Sequence, residues 1–329
     1  MRYRVLGRTG LRVSEVFFGA MSFYEDGPDR KAMLDVYADA GGNVIDTASS
    51  YGESENVLGG LLAGRRDRFV LATKYTASRD PDDPNGGGNH RKNLVLSLER
   101  SLRRLRTDYI DLLWVHVWDR RTPIEETMRA LDDVVRSGKV LYIGISDAPA
   151  WVVSRANTLA EWRGWTPFAG LQVPYSLLDR DVERELLPMA DEFGLSVAAW
   201  APLARGVLSG KFSGPRRPDG ATRVDASTLG ERDHAVARAV LEVAGELGVP
   251  ASQVALAWTR ARRPAVHPIV GASDAAQLAE NLGFVDVVLP DEAVARLEAV
   301  TGFEPGFPAD FIAQCDAPGT GVYGRAEVY

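Results

Sequence analysis

Four residues of different chemistry stand at similar places in a chain of 329 residues: Asp46, Tyr51, Lys74 and His116. Asp46 closes the run Asn43-Val44-Ile45-Asp46, and Tyr51 follows in the next loop. Lys74 closes Phe69-Val70-Leu71-Ala72-Thr73-Lys74, and His116 closes Ile110-Asp111-Leu112-Leu113-Trp114-Val115-His116. Short apolar runs of this kind read as β-strands. In a parallel α/β barrel the carboxyl ends of the strands converge on one pocket. An acid, a phenol, an amine and an imidazole meeting there would make a proton-donating site.

The elements needed to bring them together are visible as alternating patterns. Strands are expected at 15–18, 44–46, 69–73, 110–115, 140–146, 170–172, 195–200 and 267–270. Amphipathic stretches lie between them. Residues 29–40 carry Met33, Val36, Tyr37 and Ala40 at helical spacing, and residues 91–105 carry Leu94, Leu98, Leu102 and Leu105. The stretch 123–137 opens on Pro123 with Glu125 and Glu126 at the favourable dipole end, and stops at Gly138. The alternation predicts an α/β protein, a (β/α)8 TIM barrel preceded by an N-terminal β-hairpin, with one domain over residues 1–329. Long loops are expected at the C-terminal face over 78–89 and 203–233, with Gly86-Gly87-Gly88 as a flexible surface tip. The stretch Gly319-Thr320-Gly321-Val322-Tyr323-Gly324 matches G-x-G-x-x-G by letter. It lacks the strand, the helix and the later acidic residue that a dinucleotide fingerprint requires, and is rejected.

Composition narrows the class. Asp and Glu number 45 against 38 Lys and Arg, a net charge of −7 that disfavours nucleic acid or an anionic membrane as partner. The N-terminal residues have no apolar h-region, and no apolar run is long enough to span a bilayer. One cysteine, Cys315, cannot form an internal disulfide, and His90, His116, His234 and His267 lack metal-ligand spacing. A cytoplasmic enzyme without a metal is expected.

With those residues placed, the chain resembles the aldo-keto reductases from Leu6-Gly7-Arg8-Thr9-Gly10 to about Asn281. The resemblance is carried by Asp46-Thr47-Ala48-x-x-Tyr51-Gly52, Ser54-Glu55-x-x-Leu58-Gly59 and Thr73-Lys74. Asp108-Tyr109-Ile110-Asp111-Leu112 with His116 follows, then Gly138-Lys139-Val140 with Ile143-Gly144-Ile145-Ser146, then Gly206-Val207-Leu208-Ser209-Gly210-Lys211. Each is weak alone, and their order makes them specific. Ala199-Trp200-Ala201-Pro202-Leu203 is more similar to the bacterial branch related to potassium-channel β-subunits than to the aldose reductase branch, which usually has Tyr where Trp200 stands.

The resemblance implies reduction of an aldehyde or ketone to an alcohol by hydride from a reduced nicotinamide. Hydride arriving at carbon leaves charge on oxygen, which an acid or a cation must meet. Tyr51 is the implied proton donor. A free phenol titrates near 10, and an adjacent Lys74 ammonium is expected to lower that by roughly 1–3 units. Asp46 would pair with Lys74 and hold it in place, and His116 would orient the carbonyl or relay the proton.

The same resemblance assigns the cofactor contacts. Ser146 and Gln172 match residues that hold the nicotinamide carboxamide. Asp147 stands where many members have Asn, and a carboxylate can only accept hydrogen bonds. Trp200 matches the aromatic that stacks on the nicotinamide ring. Ala201, Pro202, Leu203 and Gly206 match the backbone along the pyrophosphate, with Lys211, Arg205 and Arg223 supplying positive charge. Gln277, Glu280 and Asn281 match the adenine end, on a helix beginning near Asp274, while some relatives carry Lys or Arg where Gly271, Ser273 and Gln277 stand, to grip the 2′-phosphate of NADPH. Ser273, the N-terminus of that helix and the basic loop residues favour NADPH, with NAD as the alternative. Phe23, Tyr24, Tyr75 and Trp118 are expected to line the pocket mouth, with the tail through Phe307 and Phe311 closing it. The expected partner is a small-molecule aldehyde, ketone or sugar. A redox-sensing nicotinamide-binding subunit and an NAD-dependent alcohol or sugar dehydrogenase are the alternatives, and oligomeric state is not legible.

Overall fold

The computed structural model describes residues 1–25, 27–212, 224–261, 263, 265–317, 321–322 and 324. Arg223 lies outside the described residues, as do positions 319, 320 and 323 of the rejected glycine motif. Strands β1 (Tyr3–Val5) and β2 (Arg12–Ser14) form an antiparallel hairpin. The following strands are β3 (Phe17–Gly19), β4 (Val44–Asp46), β5 (Val70–Tyr75), β6 (Ile110–Val115), β7 (Val140–Ser146), β8 (Phe168–Pro174), β9 (Ser196–Trp200) and β10 (Val266–Val270). They close into a parallel barrel in chain order, with β10 pairing β3. Helices α1 (Pro28–Asp39), α2 (Ser54–Leu61), α3 (Arg91–Leu105), α4 (Ile124–Arg136), α5 (Ala150–Arg163) and α6 (Leu186–Phe193) connect successive strands. Helices α7 (Glu231–Leu247) and α8 (Ala251–Ala261) precede β10, and α9 (Ala275–Leu282), α10 (Asp291–Ala299) and α11 (Ala309–Asp316) follow it. The chain forms the expected (β/α)8 barrel with its N-terminal hairpin.

Side-chain parity organises this barrel. Successive side chains of a strand point to opposite faces. Val44, Val70, Ala72, Leu112, Trp114 and Ala198 form one buried cluster inside the barrel, joined by Leu6 and Val13 of the hairpin. The hairpin therefore plugs one end: Gly7 N–H donates to Ser196 Oγ at 2.9 Å, at the start of β9. Trp114 is accommodated because its neighbours have no side chain. A Cβ on Gly144 or Gly170 would meet its ring at 2.3 Å or 2.9 Å. The alternate residues, Ile45, Leu71, Leu113 and Val115 among them, pack outward under the helices.

Several expectations shift. β3 begins two residues later than expected, at Phe17, and β8 extends on both sides of 170–172 because its flanks pair with β7 and β9. The Gly86-Gly87-Gly88 tip is folded rather than free. Gly86 is buried, and a Cβ there would lie 2.6 Å from Asp80 O, so the glycine permits a close backbone approach. Asn93 Nδ2 donates to Gly88 O at 2.8 Å and fastens the loop to α3. The long segment after β9 ends sooner than expected, at the start of α7, and α11 within the tail was not anticipated.

One polar residue lies deep in the barrel. His267 is fully buried, stacks on Phe17 with centroids 4.9 Å apart, and has Nδ1 3.0 Å from Ser14 O, while Nε2 has no partner. Burial pushes the imidazole pKa down to about 4, against the opposing bond from Ser14. The unfolded chain therefore takes up this proton first as pH falls from 6.5 towards 4. Stability should be full above about pH 6.5 and decline through that window, by on the order of 2–3 kcal/mol from this ring. Urea midpoints at successive pH values measure the decline, and His267→Gln should make it shallower by this ring's share. An unchanged slope in that variant would place the titration elsewhere.

Candidate active site

The parity that fills the barrel also builds the site. Val44 and Asp46 share a face of β4; Val70, Ala72 and Lys74 share a face of β5; Leu112, Trp114 and His116 follow the same period along β6. Asp46, Lys74 and His116 thus form the last inward layer at the carboxyl ends. Lys74 Nζ donates to Asp46 Oδ2 at 2.5 Å and to Thr47 O at 2.8 Å, and its side chain is 1% exposed. Asp46 Oδ1 accepts from Gln172 Nε2 at 3.0 Å, so three strands meet on one buried ion pair.

Tyr51 reaches this layer from the loop after β4. Its ring lies 4.8 Å from Lys74 Nζ, and its centroid is 5.8 Å from that of His116, edge-on at 82°. The structure therefore brings all four residues together. It corrects the expected direction of the phenol pKa. Burial is the largest influence and raises it; the charge of Lys74 and a hydrogen-bonding contact with its ammonium pull downward without overcoming burial. Burial first, and then the Lys74 charge, depress the His116 pKa to about 4. At neutral pH this ring is uncharged, and its buried Nδ1 has no hydrogen-bond partner.

Asp147 adds a second carboxylate at the end of β7. Its backbone is left-handed at φ 47, a conformation that short polar side chains tolerate best. Burial raises its pKa, opposed by hydrogen bonds from Trp200 and Ser146 and by the Lys74 charge. Trp200 Nε1 donates to Asp147 Oδ1 at 3.2 Å and so fixes the indole plane beside the site. Ser146 and Gln172 are buried and adjacent in the β7–β8 register.

Past β9 the chain turns through left-handed residues at Ala201, Ala204, Arg205 and Gly206, with φ of 51, 46, 57 and 97. Such clusters of positive φ in non-glycine residues are kept mainly at functional sites. Ala201 and Leu203 are partly open while Pro202 is buried. A Cβ on Gly206 would fall 2.7 Å from Lys211 Nζ, so glycine lets that ammonium lie against the backbone. Gly271, Ser273, Gln277 and Glu280 are exposed, whereas Asn281, expected beside Glu280, is buried at 3% exposure. Ser273 N–H already donates to Gln277 Oε1, and Gln277 N–H to Asp274 Oδ1, both at 2.8 Å. A phosphate at this helix end would compete with both. An orphaned imidazole nitrogen, an indole held edge-on to a carboxylate and a glycine-opened ammonium together fit a nicotinamide dinucleotide.

Two expected pocket residues are corrected. Tyr75 follows Lys74 and so faces outward, packed in the outer core with its hydroxyl donating to Asn89 O at 3.3 Å. Phe23 is fully buried against Phe18, with ring centroids 5.6 Å apart. Tyr24 is exposed and Trp118 half-buried. Trp118 meets Trp151 of α5 edge-on, with centroids 5.4 Å apart, and Trp151 is 58% exposed. Nothing in the local sequence marked Trp151, which lies in the first turn of α5. Phe307 and Phe311 of the tail are exposed, their rings tilted at 39° with centroids 6.4 Å apart.

Comparison with known proteins agrees with this geometry. The model of the aldo/keto reductase family matches residues 15–301. A norsolorinic acid reductase of Emericella nidulans is 42% identical, the match covering 94% of this chain and 84% of the relative. An aryl-alcohol dehydrogenase of Pestalotiopsis microspora is 39% identical over 94% of this chain and 85% of its own. A putative aryl-alcohol dehydrogenase of Saccharomyces cerevisiae is 38% identical over 94% of this chain and 89% of its own. The chain belongs to the aldo/keto reductase family and is an oxidoreductase of carbonyl and alcohol groups.

Proposed function

We propose that this protein is an NADPH-dependent reductase of aromatic aldehydes or ketones, with Tyr51 as proton donor. The observation that carries the reading is the buried Lys74–Asp46 ion pair under a phenol that also touches His116. The bound nicotinamide supplies hydride to the carbonyl carbon, and the protein supplies everything that happens at oxygen. Burial keeps the Tyr51 phenol protonated at neutral pH, as a donor must be. An alkoxide forming beside it is a far stronger base than a phenolate, so the proton moves as charge develops. The Lys74 ammonium, fixed by Asp46 and Thr47 O, lowers the energy of the phenolate left behind. Neutral His116 serves as a hydrogen-bonding partner for the carbonyl oxygen and not as an imidazolium acid.

For the cofactor, Ser146, Gln172 and Asp147 would hold the carboxamide, and Trp200 would back the nicotinamide ring. Leu203, Gly206 and Lys211 would run along the pyrophosphate, with Ser273, Gln277 and Glu280 at the adenosine end. The Trp200 segment remains our reason for grouping the chain with the channel-subunit-like branch. The aromatic preference rests on the Trp118–Trp151 pair just past His116, and the relatives named as aryl-alcohol dehydrogenases agree with it. Those named as aryl-alcohol dehydrogenases favour a second reading, oxidation of an aromatic alcohol at the same site.

Loss of NADPH absorbance with matched aromatic and aliphatic aldehydes tests the reading. Turnover should be faster for the aromatic series, and Trp118→Ala should lower that ratio. A panel with no turnover in either direction, despite tight cofactor binding, would favour a sensing subunit. Dissociation constants for NADPH and NADH decide the cofactor. Tyr51→Phe should lower kcat by about 10²–10⁴, or roughly 3–5 kcal/mol of barrier, while cofactor affinity stays near wild type. Loss of both together would indicate misfolding. Asp46→Asn leaves a buried ammonium short of its counter-charge and should cost roughly 3–5 kcal/mol of stability in denaturant titrations. Adding Lys74→Met should restore part of it, and a simply additive double variant would contradict the pairing.

A further inference from the structure

The loop that carries Tyr51 holds a phenol in place without a strand beneath it. It leaves β4 at Asp46 and enters α2 at Ser54. Its own bonds are short turns: Tyr51 N–H donates to Ala48 O at 3.1 Å and Ser54 N–H to Tyr51 O at 3.0 Å. Ser50, Gly52 and Glu53 are exposed, so these turns alone leave the loop open to water.

Ser49 N–H ties the near end of the loop to Lys74 O of β5 at 3.1 Å, and Ser54 Oγ ties the far end to Ala20 O at 2.8 Å. The carbonyls on either side of Tyr51 are held from α3. Arg104, in its last turn, sends Nη2 to Gly52 O at 2.5 Å and Nη1 to Ser49 O at 3.5 Å, on either side of Tyr51. The same guanidinium lies 3.2 Å from Glu53 Oε1 and 3.6 Å from Glu55 Oε2. The Glu53 contact is at the surface and contributes little. Glu55 is different. Its side chain is fully buried, and its Oε1 accepts from Thr73 Oγ1 at 2.7 Å, one residue before Lys74. Arg104 is the ion-pair partner that its Oε2 faces, with Ser101 adding a hydrogen-bonding contact and Arg100 charge from the same helix. The two helices are close enough for this contact because residue 59 is glycine. A Cβ there would lie 2.3 Å from Arg104 O.

We propose that Arg104, seated on the buried Glu55 carboxylate, is the positioning residue that clamps the Tyr51 loop from both sides and holds the phenol against Lys74 and His116. Glu55 links the clamp to the strand of Lys74, so donor and cation are set by one network. The effect on turnover rests on the reductase reading above; the effect on the loop does not.

Arg104→Met keeps the apolar stem and removes the donors, and Arg104→Lys keeps the charge but cannot fork to both carbonyls. The first readout is amide hydrogen exchange over residues 49–54, which needs no turnover. Exchange there should quicken in Arg104→Met and fall between the two in Arg104→Lys, with the β8 amides unchanged. The second is kinetic. Arg104→Met should lower kcat roughly 10–100-fold with the NADPH dissociation constant near wild type, as expected for a displaced reacting group. The primary isotope effect from deuterated NADPH should rise as the chemical step slows. Unchanged exchange over 49–54 would overturn the clamp. So would a fall in kcat that only tracks the fraction of protein able to bind NADPH, with no change in isotope effect. Should Arg104→Met fail to fold, Arg104→Lys and Glu55→Gln carry the same comparison. A wild-type protein without turnover whose loop still loosens in the variants would sink the reductase reading and leave the clamp standing.

Discussion

The buried pair of Lys74 and Asp46 is the constraint on which the C-terminal face depends. Moving two ions out of water costs several kcal/mol each, and their attraction offsets this only with good geometry and further hydrogen bonds. Here Thr47 O takes a second ammonium proton, and Gln172 gives its amide to the other carboxylate oxygen. The arrangement draws on β4, β5 and β8, strands that are not all neighbours, and so requires a closed barrel of correct register. A slip of one residue in β5 would turn Lys74 outward and leave Asp46 buried without its partner.

Burial and the Lys74 charge oppose each other on Tyr51 and act together on His116. The phenol of Tyr51 is raised because the phenolate is poorly solvated, although an ammonium stands beside it. The imidazole of His116 is lowered for the matching reason, and the ammonium adds to the effect. The two rings therefore rest neutral, a phenol and an imidazole over a neutralised pair. In the proposed reaction the lysine matters most when negative charge arrives, which is how a preorganised cation favours a transition state over a ground state.

Two of the four central residues stand on strands and His116 directly follows one, its N–H still donating to Tyr75 O of β5, so packing and the ladder hold all three. The fourth stands on a loop, and its neighbours in space are correspondingly elaborate. The guanidinium of Arg104, the carboxylate of Glu55 and the missing side chain at Gly59 all converge on that loop. The proposed substrate side is built differently. Trp118 and Trp151 meet edge-on at the rim, leaving apolar surface in contact with water that an aromatic ring would cover.

The strand period and the residue types at strand ends were enough to read the barrel and the four central residues from the chain alone. Alternation dictates which side of a strand a residue occupies, and Asp46, Lys74 and His116 each end a run whose inward partners are apolar. The same rule, applied one residue further, places Tyr75 outward, so that misassignment was avoidable. Other features had no local signal. The bond from Trp200 to Asp147 joins residues 53 apart, and the Arg104 clamp reaches back across α3 to carbonyls that carry no sequence identity at all. The direction of the Tyr51 pKa was decided by how much protein surrounds the ring. Exposure of Phe307 and Phe311 likewise follows from where the tail lies. Periodicity is a property of neighbours along the chain and can be read there; burial, and contacts between distant segments, exist only once the barrel has closed.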